Sequence, residues 1–178
     1  SVWGMTEADG HRVILKDIGA DISLLEKTVE EFQKKDRQEI ASGNIKVLPG
    51  VNDFLESLTF NNQHIGIITG NTKITGEQIL QKANLIQYFQ VFGYGDNKNT
   101  RAEIVRSAIN DAYGKKLIFN KTIVIGDTPA DIEAAKQAGV LSVAVATGHK
   151  PIEILKETGA NLVLENLIDY KKIFEMVQ

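Results

Sequence analysis

Residues 20–43, ADISLLEKTVEEFQKKDRQEIASG, carry apolar side chains at Ile22, Leu24, Leu25, Val29 and Phe32, with charge on the opposite face. That spacing predicts an amphipathic helix. No strand-like alternation appears before residue 45. From there the pattern changes. VNDFLESL, after Pro49-Gly50, reads as a helix; HIGIIT is a short apolar strand and GEQILQKANL a helix. QVFGYG reads as a strand and RAEIVRSAINDAY as a helix. TIVIG is a strand, and ADIEAAKQAG a helix closed by Gly139. LSVAVA, PIEILKETG and NLVLE continue as strand, helix and strand, and the C-terminal stretch reads as a last helix. Strands alternating with helices predict an α/β fold with a Rossmann-like parallel sheet. Strands that are β-branched and apolar on both sides predict helices on both faces. The chain thus divides into a helical segment, residues 1–45, and an α/β core, residues 46–178.

Composition narrows the classes. The 178 residues suit one domain with a small appendage. A net charge of -3 leaves no polycation for nucleic acid or an anionic membrane. The absence of cysteine excludes disulfides, thiol nucleophiles and Cys-ligated zinc. No apolar run approaches the roughly 20 residues of a membrane span. SVWGMTEADG has neither the basic nor the apolar region of a signal peptide, so a cytoplasmic protein is expected. The oligomeric state cannot be read from these features.

Ligands of parallel sheets sit beyond the carboxyl ends of the strands, so the residues that follow each strand are the candidates. They are Thr69, Gly70 and Asn71 after the first strand; Asp96, Asn97, Lys98, Asn99 and Arg101 after the second; Asp127, Thr128 and Asp131 after the third; Thr147, Gly148, His149 and Lys150 after the fourth. Asp127 stands at a strand tip, and Asp131 on the first turn of the next helix, pointing back to the same space. Two carboxylates about 4 Å apart repel by about 4 kcal/mol at an effective dielectric near 20. A hard cation with oxygen ligands and water, such as Mg²⁺, relieves that repulsion. Asp131 also suits a plain first-turn acid, favoured by the helix dipole. The Thr69 hydroxyl, with Gly70 and Asn71 at a helix start, forms a candidate anion site. Arg101 opens a helix and matches phosphate oxygens bidentately, with Lys98 as the competing cation. The three histidines are scattered, without the spacing of a zinc site; His149 alone follows a strand tip.

IGIITGNTK, YGDNKNTRAEIVRSAI and TIVIGDTPADIEAAKQAG together resemble the second, third and fourth motifs of the haloacid dehalogenase-like hydrolases, most closely phosphatases of the phosphoglycolate phosphatase type. VAVATGHKPIEILKETGANLVLENL resembles the C-terminal run of that family, and LPGVNDFLESL its entry into the core after a cap. The resemblance implies a Mg²⁺-dependent phosphatase acting on a small phosphorylated metabolite through an aspartyl-phosphate, with residues 1–45 as a helical cap. It implies Thr69, Arg101 and Asp127 as catalytic residues, Thr69, Gly70, Asn71 and Arg101 on the phosphate, and Asp127 and Asp131 at the metal. One departure stands against these matches. The family's first motif, a strand ending D-x-D whose first aspartate is the nucleophile, is missing; Asp9-Gly10 has no apolar strand before it. That strand is central in the family, between HIGIIT and TIVIG. Unpaired interior backbone groups cost about 1–3 kcal/mol each, so the slot is expected to be filled by a segment outside this sequence or closed by an unusual pairing. The chain by itself is expected to be inactive. The competing readings are a pseudophosphatase that only binds, and a metal-free haloacid dehalogenase, against which the paired acids argue. No G-x-G-x-x-G or Walker signature points to a nucleotide.

Overall fold

The structure, a computed structural model, describes residues 7–96, 98 and 100–177. It begins with a helical hairpin: α1 (Glu7–Asp17), a 3₁₀ turn at Ile22–Leu24, and α2 (Leu25–Ser42). Leu15 and His11 of α1 are buried, and the His11 and Phe32 rings meet in a T-shaped arrangement across the two helices with centroids 4.8 Å apart. Asp9 falls in α1, but its side chain lies outside the described residues. No residue of α2 is fully buried, and its last turn carries no basic side chain. The cation comes instead from α4 (Lys73–Lys82), where Lys82 Nζ donates to the Ile40 and Ala41 carbonyls at 2.6 and 2.5 Å. Gln78 Nε2 donates to Arg37 O at 3.1 Å. The exposed carbonyls at the end of α2 are thereby satisfied by a helix of the core.

The remaining elements alternate as the sequence pattern predicts. They are α3 (Val51–Phe60), β1 (Gly66–Ile68), α4, β2 (Val91–Gly93), α5 (Arg101–Gly114), β3 (Ile123–Gly126), α6 (Pro129–Ala138), β4 (Leu141–Val145), α7 (Ile152–Glu157), β5 (Leu162–Leu164) and α8 (Lys171–Val177). Every strand pairing is parallel. Side chains alternate across the strands. Ile123, Ile125, Val143, Val145, Leu162 and Leu164 pack with Phe54 of α3 and Ile173 and Phe174 of α8. Val124 packs with Ala102 and Val105 of α5 and Ala134 and Ala135 of α6, while Ala144 and Val163 pack with Ile132 and Leu155. Helices therefore cover both faces.

The sheet is in two pieces, β1–β2 and β3–β4–β5. Hydrogen bonding explains where it divides. Val91 N–H donates to Ile65 O and Thr69 N–H to Gly93 O, so Ile65, Ile67 and Thr69 turn their backbone groups toward β2. Gly66 and Ile68 turn theirs the other way. In β3, Leu141 N–H donates to Thr122 O, so Thr122, Val124 and Gly126 face β4, and Ile123 and Ile125 face away. The free edges of β1 and β3 thus face one another, and no pairing joins them among the described residues. Helix α5 packs against β1, β2 and α6. Ile68 of β1 reaches the cluster that contains Val124 of β3, so the two pieces share one core below the gap. Burial follows the same logic: Ser142–Val145 of β4 are buried, whereas Ile67, Ile68, Ile123 and Ile125 are only partly so.

The outer edge of β2 is covered by side chains. Asp111 of α5 accepts from Phe92 N–H at 3.1 Å and from Lys115 Nζ at 2.7 Å, and Lys115 Nζ also donates to Gln90 O at 2.8 Å. Edge groups satisfied in this way cannot pair with another chain. The hydrogen bond from the Lys115 ammonium holds the Asp111 carboxyl below the usual range; burial opposes it, and the Phe92 amide adds a smaller lowering. A depressed carboxyl contributes stability above its ordinary value of about 3.9, and that contribution is lost as pH falls through its lower folded value. Asp111→Ala should therefore destabilise the protein by about 1 kcal/mol at pH 7. In urea titrations repeated at falling pH, the difference from wild type should shrink through the acid range below about pH 4.

Candidate active site

The sequence after β3 builds its own helix start. Thr128 is the N-cap of α6 and Pro129 its first residue, where the missing N–H and preset φ are suited. Thr128 Oγ1 accepts from Asp131 N–H at 3.3 Å, and Asp131 Oδ2 accepts from Thr128 N–H at 3.1 Å and from Thr128 Oγ1 at 2.8 Å. This is a capping box with aspartate in the acidic position. Asp131 is only 4% exposed. Its side chain lies over Gly126, where any Cβ would collide with the Asp131 Cβ and carboxylate.

The other oxygen of Asp131 faces α5. Arg101 Nε stands 2.9 Å from Asp131 Oδ1, with the arginine side chain 17% exposed. The N–H is not aimed along that line, and Nε is the one buried side-chain polar atom among the described residues without a hydrogen bond. The contact is an ion pair rather than an aligned hydrogen bond. Arg101 is the first residue of α5, a place the helix dipole disfavours for a cation; Asp131 offsets that. Of the two candidate cations, Arg101 is the one that reaches Asp131. Lys98 lines a shallow surface hollow with Glu103, Arg106, Ser107 and Asn110.

Asp127 is half-buried at the tip of β3. Its carboxylate leans toward the loop after β4, where a Cβ on Gly148 would collide with Oδ2. Among the described residues it has no hydrogen bond or ion pair. The two acids therefore have different surroundings: Asp131 is fully engaged, and Asp127 is available. No group of three or more His, Cys, Asp or Glu side chains that could hold a metal occurs among the described residues. His149, exposed, follows Gly148, and His64 pairs with Gln90 at the opposite end of β1.

Across the gap, Thr69 Oγ1 accepts from Asn71 N–H at 3.2 Å, folding the chain into a tight turn after β1. Thr72 caps α4 by accepting from Thr75 N–H at 3.4 Å. Sequence reasoning missed what holds this turn. Gly95 N–H donates to Asn71 O at 2.8 Å, and a Cβ on Gly95 would run into the Gly70 carbonyl. Asp96 Oδ2 accepts from Lys73 N–H, at the start of α4, at 2.6 Å. The glycine between Tyr94 and Asp96 was the available signal. Asn97 and Asn99 lie outside the described residues. The structure thus joins Arg101 directly to Asp131, places Asp127 one strand tip from Gly148, and sets Thr69, Gly70 and Asn71 on the far side of the gap.

A family model described as haloacid dehalogenase-like hydrolase matches residues 10–145. The chain is 23% identical over 125 residues to a phosphoglycolate phosphatase of Nitrosococcus oceani, covering 70% of this chain and 56% of that one. It is 24% identical over 148 residues to a phosphorylated carbohydrates phosphatase of Thermotoga maritima, covering 78% and 63%. The chain spans a little over half the length of such curated relatives. A crystal structure of a β-phosphoglucomutase from Clostridium difficile superposes with a TM-score of 0.82 at 22% identity, covering 98% of this chain and 78% of that one. That likeness speaks to the fold.

The buried pair makes a stability prediction. Asp131→Ala removes the capping box and strands the Arg101 charge, and should cost about 3–5 kcal/mol in urea unfolding. Adding Arg101→Met should recover part of that loss, because the stranded charge is gone. Strict additivity of the two changes would show that the ion pair carries no coupling.

Proposed function

The chain belongs to the haloacid dehalogenase-like hydrolases, and from that premise we propose that it carries the phosphate-binding and metal-binding groups of a phosphatase for a small phosphorylated metabolite. The observation that carries this reading is the Arg101–Asp131 pair at the sheet's carboxyl edge, with the unengaged Asp127 carboxylate beside it. The N-termini of α5 and α6 open at the same edge and add positive potential. The phosphatase names of the curated relatives support the substrate class.

The donors suit Mg²⁺. Asp127 is a hard oxygen ligand with no partner among the described residues, and Mg²⁺ sites often use only one or two carboxylates, the remaining ligands being water and substrate phosphate. In this reading Asp127 binds the metal directly, and Asp131, whose oxygens hold Thr128 and Arg101, orients the shell around it. When bound, the cation offsets the negative charge gathered by phosphate and carboxylates. Thr69 donates its hydroxyl to a phosphoryl oxygen, Gly70 presents its backbone N–H, and Asn71 exchanges its N–H bond to Thr69 Oγ1 for one to the phosphate. Arg101, with Nε lacking a hydrogen bond, takes up charge that grows on those oxygens during transfer. Residues 1–45 act as a small cap over the core of residues 46–178, and exclude water from the edge.

The nucleophile is assigned to an aspartate on a strand seated between β1 and β3. The support is the pair of edges left unpartnered among the described residues, Gly66 and Ile68 on one side and Ile123 and Ile125 on the other, which lead to the tips bearing Thr69 and Asp127. A strand there brings its last residue between those two side chains.

Phosphate release from p-nitrophenyl phosphate, with and without Mg²⁺, tests this reading on the 178-residue chain and on one extended by the residues encoded upstream of Ser1. The expected result is Mg²⁺-dependent turnover in the extended protein only. Arg101→Ala in that protein should lower turnover by roughly 10²–10³. Turnover by the 178-residue chain would overturn the assignment of the nucleophile. An extended chain that binds phosphate yet never turns over p-nitrophenyl phosphate would instead identify a binding protein.

A further inference from the structure

The turn after β1 and the loop after β2 are locked together by contacts that bypass the sheet. Three of them are independent. Asn71 O accepts from Gly95 N–H at 2.8 Å; Gly95 lies so close to the Gly70 carbonyl that only glycine fits; Asp96 Oδ2 accepts from Lys73 N–H at 2.6 Å. At that distance the last contact is a strong, charge-assisted hydrogen bond. It fills the first free amide of α4 with a carboxylate from a different loop, although α4 already has its own N-cap in Thr72. The locked pieces are the two that meet the phosphate in the proposed site. One holds Thr69, Gly70 and Asn71. The other continues from Gly95, whose carbonyl accepts from Lys98 N–H at 3.2 Å, to Thr100 and Arg101 at the head of α5.

We infer that Gly95 and Asp96 are positioning residues that clamp the Thr69–Asn71 turn to the loop leading to Arg101, so that hydroxyl, amides and guanidinium meet the phosphate as one pre-formed unit. This inference rests on the phosphatase reading for its ligand and on the loop contacts for its geometry. Two physical arguments favour a positioning role over general support. Neither residue adds to a hydrophobic cluster, and Asp96 is exposed. The contacts also restrain the backbone of Gly70, which in a free turn visits many conformations; holding it in advance removes an ordering penalty from ligand binding. The carboxylate has a second effect. A bare α4 N-terminus would compete for phosphate, and Asp96 occupies it, leaving the Thr69–Arg101 position as the place for the anion.

The test is titration of the ¹⁵N-labelled 178-residue protein with inorganic phosphate, followed at the Gly70 and Asn71 amides, with hydrogen exchange read at Lys73. The variants are Asp96→Ala, Asp96→Asn and Gly95→Ala. Asp96→Ala should speed Lys73 exchange and weaken phosphate binding by roughly tenfold, the equivalent of one lost hydrogen bond of about 1.4 kcal/mol. Asparagine still offers an oxygen to Lys73 N–H, so Asp96→Asn should recover most of the affinity. Gly95→Ala should lose affinity as well, through displacement of the Gly70 carbonyl. Wild-type phosphate affinity in Asp96→Ala and Gly95→Ala would overturn the clamp and leave the anion site standing. If the wild-type protein shows no phosphate-dependent shift at Gly70 or Asn71, the anion site itself is wrong, and the positioning role falls with it, whatever Lys73 exchange reports.

Discussion

The carboxylate of Asp131 joins two helices at one point of the sheet edge. Oδ2 closes the first turn of α6 through Thr128, and Oδ1 stands 2.9 Å from the guanidinium that begins α5. A cation at the positive end of a helix is poorly placed by itself. Here it is nearly closed to water and faces an acid, where the attraction is stronger than at the surface. The acid is pressed in turn against Gly126, at the end of β3. The contact ties the heads of α5 and α6 together above the apolar cluster through which the two helices pack.

The second organising fact is the division of the sheet. Helix α5 lies beneath both pieces, so β1 and β3 share one core without being paired among the described residues. The chemical groups consequently flank a gap rather than occupy neighbouring strands. Thr69 is on one side of it; Asp127, with Asp131 and Arg101 behind it, is on the other. Of the two expected outcomes for the slot, closure of β1 upon β3 does not occur among the described residues, and their inner edges keep free hydrogen-bonding groups there. This geometry is the reason for assigning the proposed nucleophile to an added strand rather than to an acid already present.

The two sides are also built differently. On the Asp127 side, side chains do the work: a capping box, an ion pair, a carboxylate against a glycine. On the Thr69 side the backbone dominates, with amides of Asn71, Lys73 and Gly95 bound to oxygens nearby. A turn fixed by these bonds is shaped before an anion arrives, while a charged pair can respond to charge that develops on it.

Much of the architecture was legible in the chain. The alternation of apolar strands with helical periodicity, and Gly139 closing ADIEAAKQAG, are local signals, because helix ends and strand faces are set by residues a few positions apart. The strand-tip positions of Thr69 and Asp127, and the helix-start positions of Asp131 and Arg101, followed from the same reading. Three things did not. Asp131 contacts Arg101 thirty residues away by sequence number, and only the packing of α5 on α6 shows which of Arg101 and Lys98 it meets. Asp96 and Gly95 hold a turn more than twenty residues upstream, a partnership that no periodicity records. The separation of β1 from β3 depends on which strand edges find partners, and backbone hydrogen bonding between strands is blind to side-chain identity. Local pattern therefore determined the elements and their order, while tertiary packing alone decided which tips, loops and edges face one another.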